Sequence, residues 1–357
     1  MKSKRKIVAP LLAALLALSG CRSIGPATIA RDRVDYSSAM TDSWKRQMLL
    51  NIVKLRYSDP PIFVDIGQIV AGYSIDYFAG TTGQAYFGGT SSNYLNSTGQ
   101  IRYTDRPTIT YTPLTGSRYI TSLISPISPA ALFNSIQAGW PADVILELGA
   151  NSINGNRTAD REDIAAGETS STNYRRILTL MRHLQVNNAL SIRLEMDETK
   201  RSLTLITLRA PNLAPEIAAE VEELRGLLGL DPAASDFKLV YGSMAVNGRE
   251  IAVQSRSLMR VMGLFGDKID VPPEDIVEGR AMPNRSGPAT AGSSVQIHCG
   301  KEAPKDAFVA VEYRGRHFWV DDRDLFTKRA FSLIMLLFTL ADSGTPVSQP
   351  VLTIPTG

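Results

Sequence analysis

The sequence predicts an α+β protein. Segments with helical spacing of apolar residues recur between short segments that alternate apolar and polar residues. Turn residues between the latter pair them as antiparallel hairpins rather than as parallel units with helical crossovers. With 44% apolar and 20% charged residues over 357 positions, the chain carries enough apolar matter for a real core. That composition excludes a disordered tail protein. The length suggests about two domains.

Residues 1–20 have the three parts of an export signal: Lys2, Lys4, Arg5 and Lys6, then an apolar stretch at 7–18, then Leu18-Ser19-Gly20 before Cys21. The apolar stretch contains Pro10 and falls short of the roughly 20 residues of a spanning helix. Leu18-Ser19-Gly20-Cys21 resembles the bacterial lipobox. The resemblance implies cleavage after Gly20, diacylglycerol on the Cys21 thiol and a further acyl chain, such as palmitate, on the new amino terminus. Arg22, where an aspartate would mark retention in the inner membrane, implies transfer to the outer membrane, with the body in the periplasm. An ordinary secretory signal with a chance cysteine is the other reading. Two or more acyl chains make a stable anchor, at about 0.8 kcal/mol per buried methylene.

Without the four basic residues of that segment, 34 Lys and Arg face 35 Asp and Glu, a net of −1. The sequence pI of 8.8 is therefore no argument for nucleic acid. With Cys21 lipidated, Cys299 is the remaining thiol, so no internal disulfide is expected.

The expected organisation is a signal peptide at 1–20 and a lipidated tether at 21–36, of which 22–35 would reach about 45 Å if extended. An N-terminal helix and a Tyr/Gly-rich β region at 37–150 follow, then an α+β region at 151–270. A Pro-rich loop or linker at 271–294 and C-terminal strands with a core helix at 295–357 complete the chain. In the first helix, at 37–57, Met40, Trp44, Met48, Ile52 and Leu55 form the stripe, and Pro60-Pro61 prevents its continuation. A strand is expected at 62–70. Helices are expected at 129–137, 174–186, 257–265 and 325–341. The helix at 215–228 is the best signalled, with Pro215 and Glu216 in its first turn and Gly229 after it. Its stripe is Ile217, Val221, Leu224 and Leu228. A hairpin is expected from 190–196 and 202–209, and further strands at 237–241, 250–254, 294–298, 308–313, 317–320 and 350–355. Residues 144–148 suit either a strand or a helix, and the polar stretch 151–173 reads as a loop. Residues 331–340 are apolar except Ser332 and Thr339, which reads as a buried core helix rather than a membrane span.

Between Gly72 and Gly116 the charged residues are Asp76, Arg102, Asp105 and Arg106 alone, while Gly, Ser, Thr and Tyr dominate. Tyr86, Tyr94, Tyr103, Tyr111 and Tyr119 recur every 8 or 9 residues. With Gly80, Gly83, Gly88, Gly89 and Gly99 as turns, short strands in successive hairpins account for the rhythm. Residues 108–112 alternate cleanly as a strand. Tyr73, Tyr77, Tyr86, Tyr94, Tyr103 and Tyr111 form the candidate interaction surface, because tyrosine offers rigid contact area with a polar tip. The alternatives are a small self-contained sheet, or strands that join copies from other subunits into a membrane barrel. Phe78 and the polar run 90–93 interrupt the alternation a barrel requires.

Chemistry has few carriers. His183, His298 and His317 stand apart in sequence, and no metal-ligand spacing occurs, so no metal or cofactor is expected. His298-Cys299 suggests a thiolate–imidazole pair. Strand neighbours point to opposite faces, however, which favours an inert thiol. Asp321, Asp322 and Asp324 suit either a cation or the capping of the helix that follows.

Several segments resemble, together, a group of uncharacterised bacterial envelope lipoproteins of this length. They are Arg31-Asp32-Arg33-Val34-Asp35-Tyr36, the run from Ser43-Trp44-Lys45-Arg46 to Leu55-Arg56-Tyr57, and Asp105-Arg106-Pro107-Thr108-Ile109-Thr110-Tyr111-Thr112-Pro113-Leu114. Gln137-Ala138-Gly139-Trp140-Pro141-Ala142-Asp143 and Asp321-Asp322-Arg323-Asp324-Leu325 complete the set. The resemblance implies envelope localisation and supplies no functional residues. The expectation is a non-catalytic outer-membrane lipoprotein with a structural or assembly role, held to the membrane through Cys21. Its partners would be copies of itself or another envelope protein. A periplasmic binding or accessory lipoprotein for a cell-wall polymer or a secretion machine is the runner-up. A hydrolase using His298 and Cys299, or Asp321–Asp324, is the remaining alternative.

Overall fold

The computed structural model describes residues 24–70, 73–84, 94–158, 172–196, 202–208, 214–281 and 295–341. It is an α+β structure, with helices and several antiparallel sheets. The chain forms two compact units: Met1–Trp44 with Val64–Pro113, and Lys45–Phe63 with Leu114–Gly357. Cys21, the signal segment and the strand expected at 350–355 lie outside the described residues.

The larger unit holds the core. Its centre is a six-stranded sheet built from β5 (Ala150–Ile153), β6 (Asn156–Arg157), β7 (Leu190–Met196), β8 (Ser202–Leu208), β9 (Asp236–Tyr241) and β10 (Glu250–Ser255), in the order β6-β5-β10-β9-β8-β7. All neighbours are antiparallel except β9 and β10, which pair parallel from Glu250↔Lys238 to Val253↔Tyr241. Helices α3 (Pro129–Gln137), α4 (Ala142–Gly149), α5 (Thr172–Val186) and α6 (Pro215–Leu228) supply buried Leu132, Phe133, Ile145, Ile177 and Leu224 to the common core. The stretch that suited either a strand or a helix is thus helical. The polar stretch expected as a loop is strand at β5 and β6 and helix from Thr172, and 159–171 lies outside the described residues. Helix α6 follows its sequence signals. Gly229 ends it at φ +65°, and Leu230 donates its N–H to the Arg225 carbonyl at 2.9 Å.

A buried arginine organises the middle of the sheet. Helix α4 runs straight into β5, because Ala150 is extended rather than left-handed, so no glycine closes its last carbonyls. Arg256, 4% exposed, closes them instead. Its Nη1 donates to the carbonyls of Glu147 at 2.7 Å, Leu148 at 3.2 Å and Ala150 at 2.5 Å. The Tyr174 hydroxyl lies 3.0 Å from the carbonyls of Leu146 and Ala150. A guanidinium at a helix C-terminus also meets the negative end of the dipole.

The C-terminal part adds α7 (Leu258–Gly266), α8 (Pro273–Val277), and a three-stranded antiparallel sheet of β11 (His298–Gly300), β12 (Val309–Tyr313) and β13 (Arg316–Val320), in the order β11-β13-β12. It ends with α9 (Leu325–Ala341), which buries Ala330, Phe331, Leu333, Ile334 and Leu337. Among the described residues no helix is long and apolar enough to cross a membrane. Two expectations need correction here. Part of the expected linker is α8, with Val271, Asp275 and Ala281 buried, because Pro272 and Pro273 start a helical turn instead of breaking one. The strand expected at 294–298 begins at its last residue, where His298 pairs with Trp319.

The first helix, α1, runs Ile24–Arg56 over 33 residues, so the expected tether is helical from Ile24 onward. At about 1.5 Å per residue, helix shortens the reach of that stretch to less than half its extended length. Of the expected stripe, Met48 and Ile52 are buried, joined by Leu49 and Val53, whereas Trp44 is 37% exposed. Asn51, 1% exposed, donates to the Ile62 carbonyl at 2.8 Å and accepts its N–H at 2.9 Å, which holds the chain after Pro60-Pro61 against the helix.

Replacing Arg256 with Ala removes its donor from three carbonyls, of which that of Ala150 keeps the Tyr174 hydroxyl. Arg256→Ala is expected to lower the unfolding free energy by about 3 kcal/mol, read from urea melts. A loss under about 1 kcal/mol would show that water satisfies those carbonyls equally well.

Candidate interaction surface

The Tyr/Gly-rich region is one nested hairpin, not a series of short ones. Strands β1 (Val64–Val70) and β4 (Thr108–Pro113) pair antiparallel, and β2 (Tyr73–Gln84) and β3 (Tyr94–Asp105) pair antiparallel between them. Each sheet is two-stranded. The glycines explain the correction. Gly80, Gly83 and Gly99 pair inside β2 and β3 with Thr98, Leu95 and Ala79, so they are strand positions. Gly67 marks a register shift between Ile66 and Gln68, the usual place for a bulge. Val70↔Thr108 and Tyr73↔Asp105 are three residues apart on each side, so the register continues in phase from one pair of strands to the other.

The candidate tyrosines fall along this ribbon. Tyr73 pairs with Asp105, Tyr77 with Ile101, Tyr94 with Gln84, Tyr103 with Ile75, and Tyr111 with Ile66. Tyr86 lies outside the described residues. The surface around them contains apolar residues the tyrosine rhythm did not single out. Phe78 is 65% and Ile101 73% exposed, beside the candidate Tyr111 at 61%. Among the smaller unit's residues whose burial is described, none is buried. Two-stranded ribbons without a covering layer are marginal in water. The sequence signal that marks this ribbon is the pair of low-charge, period-2 runs flanking the Gly/Ser/Thr-rich residues 88–92.

The residues with chemical potential lie in the larger unit and are committed elsewhere. Asp324 accepts the Thr327 N–H at 3.0 Å and so caps α9, Asp321 accepts the Arg323 N–H at 2.8 Å, and Asp322 pairs with Lys328 at 2.6 Å. Among the described residues no cluster of His, Cys, Asp or Glu could hold a metal ion. His298 stacks near Trp319 with ring centroids 5.6 Å apart and meets Asp270 at 3.3 Å. Cys299 pairs with Phe318 in β13, and burial pushes its thiol up to about 11. A thiol held neutral is a poor nucleophile.

Near it, the Tyr57 hydroxyl donates to Asp275 at 2.7 Å, both residues being buried, and burial followed by that carboxylate raises the phenol above its ordinary value. The Tyr313 hydroxyl donates to Asp59, which this bond holds below the usual carboxylate range. Arg314 lies 5.3 Å from the ring centres of both tyrosines and 3.3 Å from Asp59. These contacts tie the end of α1 to β12 and α8 within the larger unit. They are a packing joint.

Compared with family models, curated proteins and solved structures, the chain matches none.

At pH 8, iodoacetamide is expected to modify Cys299 about 100-fold more slowly in the folded protein than in urea, following the thiolate fraction when the thiol moves from 9.0 to about 11. Equal rates would mean that Cys299 is a reactive thiol.

Proposed function

We propose that the protein is a non-catalytic lipoprotein anchored to the outer membrane through acyl chains on Cys21. Residues 64–113 are its assembly element, and copies of the same chain are the partner. The observation that carries this reading is the ribbon itself, whose strands of 12 residues in β2 and β3 pair, among the described residues, only with each other. Native proteins blunt exposed strand edges with charge, proline or cover. Here β2 and β3 carry Asp76, Arg102 and Asp105 as their charges and no proline. Edges of that kind recruit further strands. A cysteine thiol held neutral and aspartates spent on capping and ion pairing support the non-catalytic part of the reading.

Two measurements test it. Cys21→Ser is expected to abolish incorporation of labelled palmitate and to release the protein from the membrane fraction. Retention of lipid label on the variant would refute the anchor. For assembly, the native mass of the detergent-extracted protein is compared with that of a variant in which a short Gly/Ser turn joins Phe63 to Leu114. The full chain is expected as a defined oligomer and the variant as a folded monomer, since the excised part buries no described residue. Two monomers would refute the assembly role.

A further inference from the structure

We propose that the β2–β3 ribbon inserts into a lipid bilayer as one hairpin of a β-barrel that copies of this chain close. The proposal deepens the assembly reading and rests on it. Its basis is a two-faced pattern that exists only once the register is known.

Successive strand positions belong to opposite faces, so the register pairs sort into two sets. One face takes positions Tyr73, Ile75 and Tyr77 of β2 with Tyr103 and Ile101 of β3, and continues with Ala79 opposite Gly99, Thr81 opposite Ser97 and Gly83 opposite Leu95. The other takes Asp76, Arg102, Gln100, Thr98 and Thr104. On that polar face Asp76 and Arg102 are direct cross-strand partners, so the two opposite charges offset each other. Phe78, opposite Gln100, is the one large apolar residue on it besides Tyr94. Asp105 is the one charge on the apolar face within these strands, and it stands in the last rung, opposite Tyr73. A carboxylate and a tyrosine at the end of an apolar band suit the headgroup level of a membrane.

The base of the ribbon keeps the same phase. Ile69 pairs with Ile109, and Ile66 with Tyr111. Ile66 and Ile69 are three residues apart and would fall on opposite faces of a regular strand. The register shift at Gly67 places them on the same one. With Asp105 and Tyr73 at the headgroup level, these base positions lie outside the hydrocarbon, and the apolar face within it is that of β2 and β3.

Length and edges identify what it meets. Strands of 12 residues span about 36 Å at 3.3 Å per residue, and about 28 Å across a bilayer when tilted by about 40°. The hydrocarbon core is about 30 Å thick. Lipid cannot satisfy backbone groups, so the outer edge of each strand has to be hydrogen-bonded inside the membrane. One two-stranded ribbon cannot do this alone, but a ring of identical ribbons can. The smallest barrels have about 8 strands, which sets a minimum of about four copies. Lipid acylation of Cys21 would hold each copy at the surface it has to enter.

The test uses the full lipidated chain with Cys299→Ser and one added cysteine at Ile101, Tyr103, Gln100 or Arg102, each labelled with an environment-sensitive fluorophore. The proteins are reconstituted into phosphatidylethanolamine/phosphatidylglycerol vesicles containing a spin-labelled lipid that quenches the probe. Native mass in detergent is measured on the same preparations. Quenching at positions 101 and 103 is expected to exceed that at 100 and 102 by at least about twofold, in an oligomer, as lipid-facing and lumen-facing strand positions differ. An oligomer with no quenching at any position overturns insertion and leaves the assembly reading standing. A monomer overturns both. Equal quenching at all four positions overturns the closed barrel, since a ribbon lying in lipid on both faces has no lumen.

Discussion

One small closure supports everything that residues 64–113 do. Leu114 donates its N–H to the Phe63 carbonyl at 2.9 Å, where the chain leaves the larger unit and where it returns. Both residues are buried, at 4% and 6% exposure, and Phe63 stacks on Phe338 of α9 at 5.0 Å. Because the two ends are clamped at adjacent positions, the intervening chain can run out and back as a ribbon without disturbing the core. None of the residues at 64–113 whose burial is described is buried.

Within the larger unit, the segment that leads to Phe63 is tied by hydrogen bonds from buried side chains. Asn51 binds both backbone groups of Ile62 just before the exit. The end of α1 is tied through Tyr57 to Asp275 and through Asp59 to Tyr313. Farther in, Arg256 binds the carbonyls at the end of α4 and fixes the junction of helix and sheet. Hydrogen bonds of this kind stabilise modestly, but a buried group left without its partner costs more than the bond contributes.

Packing and exposure divide along the same line. Titratable residues that suggested catalysis in the sequence are consumed by packing: Asp324 caps a helix, and Cys299 is held neutral beside Phe318. The exposed, low-charge, tyrosine-rich strands contribute no described buried residue. Residues kept without a structural role in the isolated chain are the natural place to look for an intermolecular one.

Much of this was readable in the linear sequence, and the reason is locality. Helix α6 is marked by Pro215 and Gly229, α9 by Asp324 and its apolar run, and the β7–β8 hairpin by alternation, because caps, turns and periodicity act within a few residues. The α+β class follows from the same local signals. What required the tertiary structure was pairing over distance. The tyrosine rhythm suggested successive short hairpins, since glycine inside a long strand and glycine in a turn look alike in sequence. Only the pairing of Tyr73 with Asp105 through to Gln84 with Tyr94 makes one ribbon of them. The bulge at Gly67, the apolar face it preserves, and the role of Arg256 at α4, 106 residues from the Ala150 carbonyl it binds, are likewise decided by contacts between distant segments. Sequence determined the α+β class and most of the segments that are helix or strand, because those signals are local. Tertiary structure decided which strand edges are left open, because an edge is defined by the neighbour it lacks.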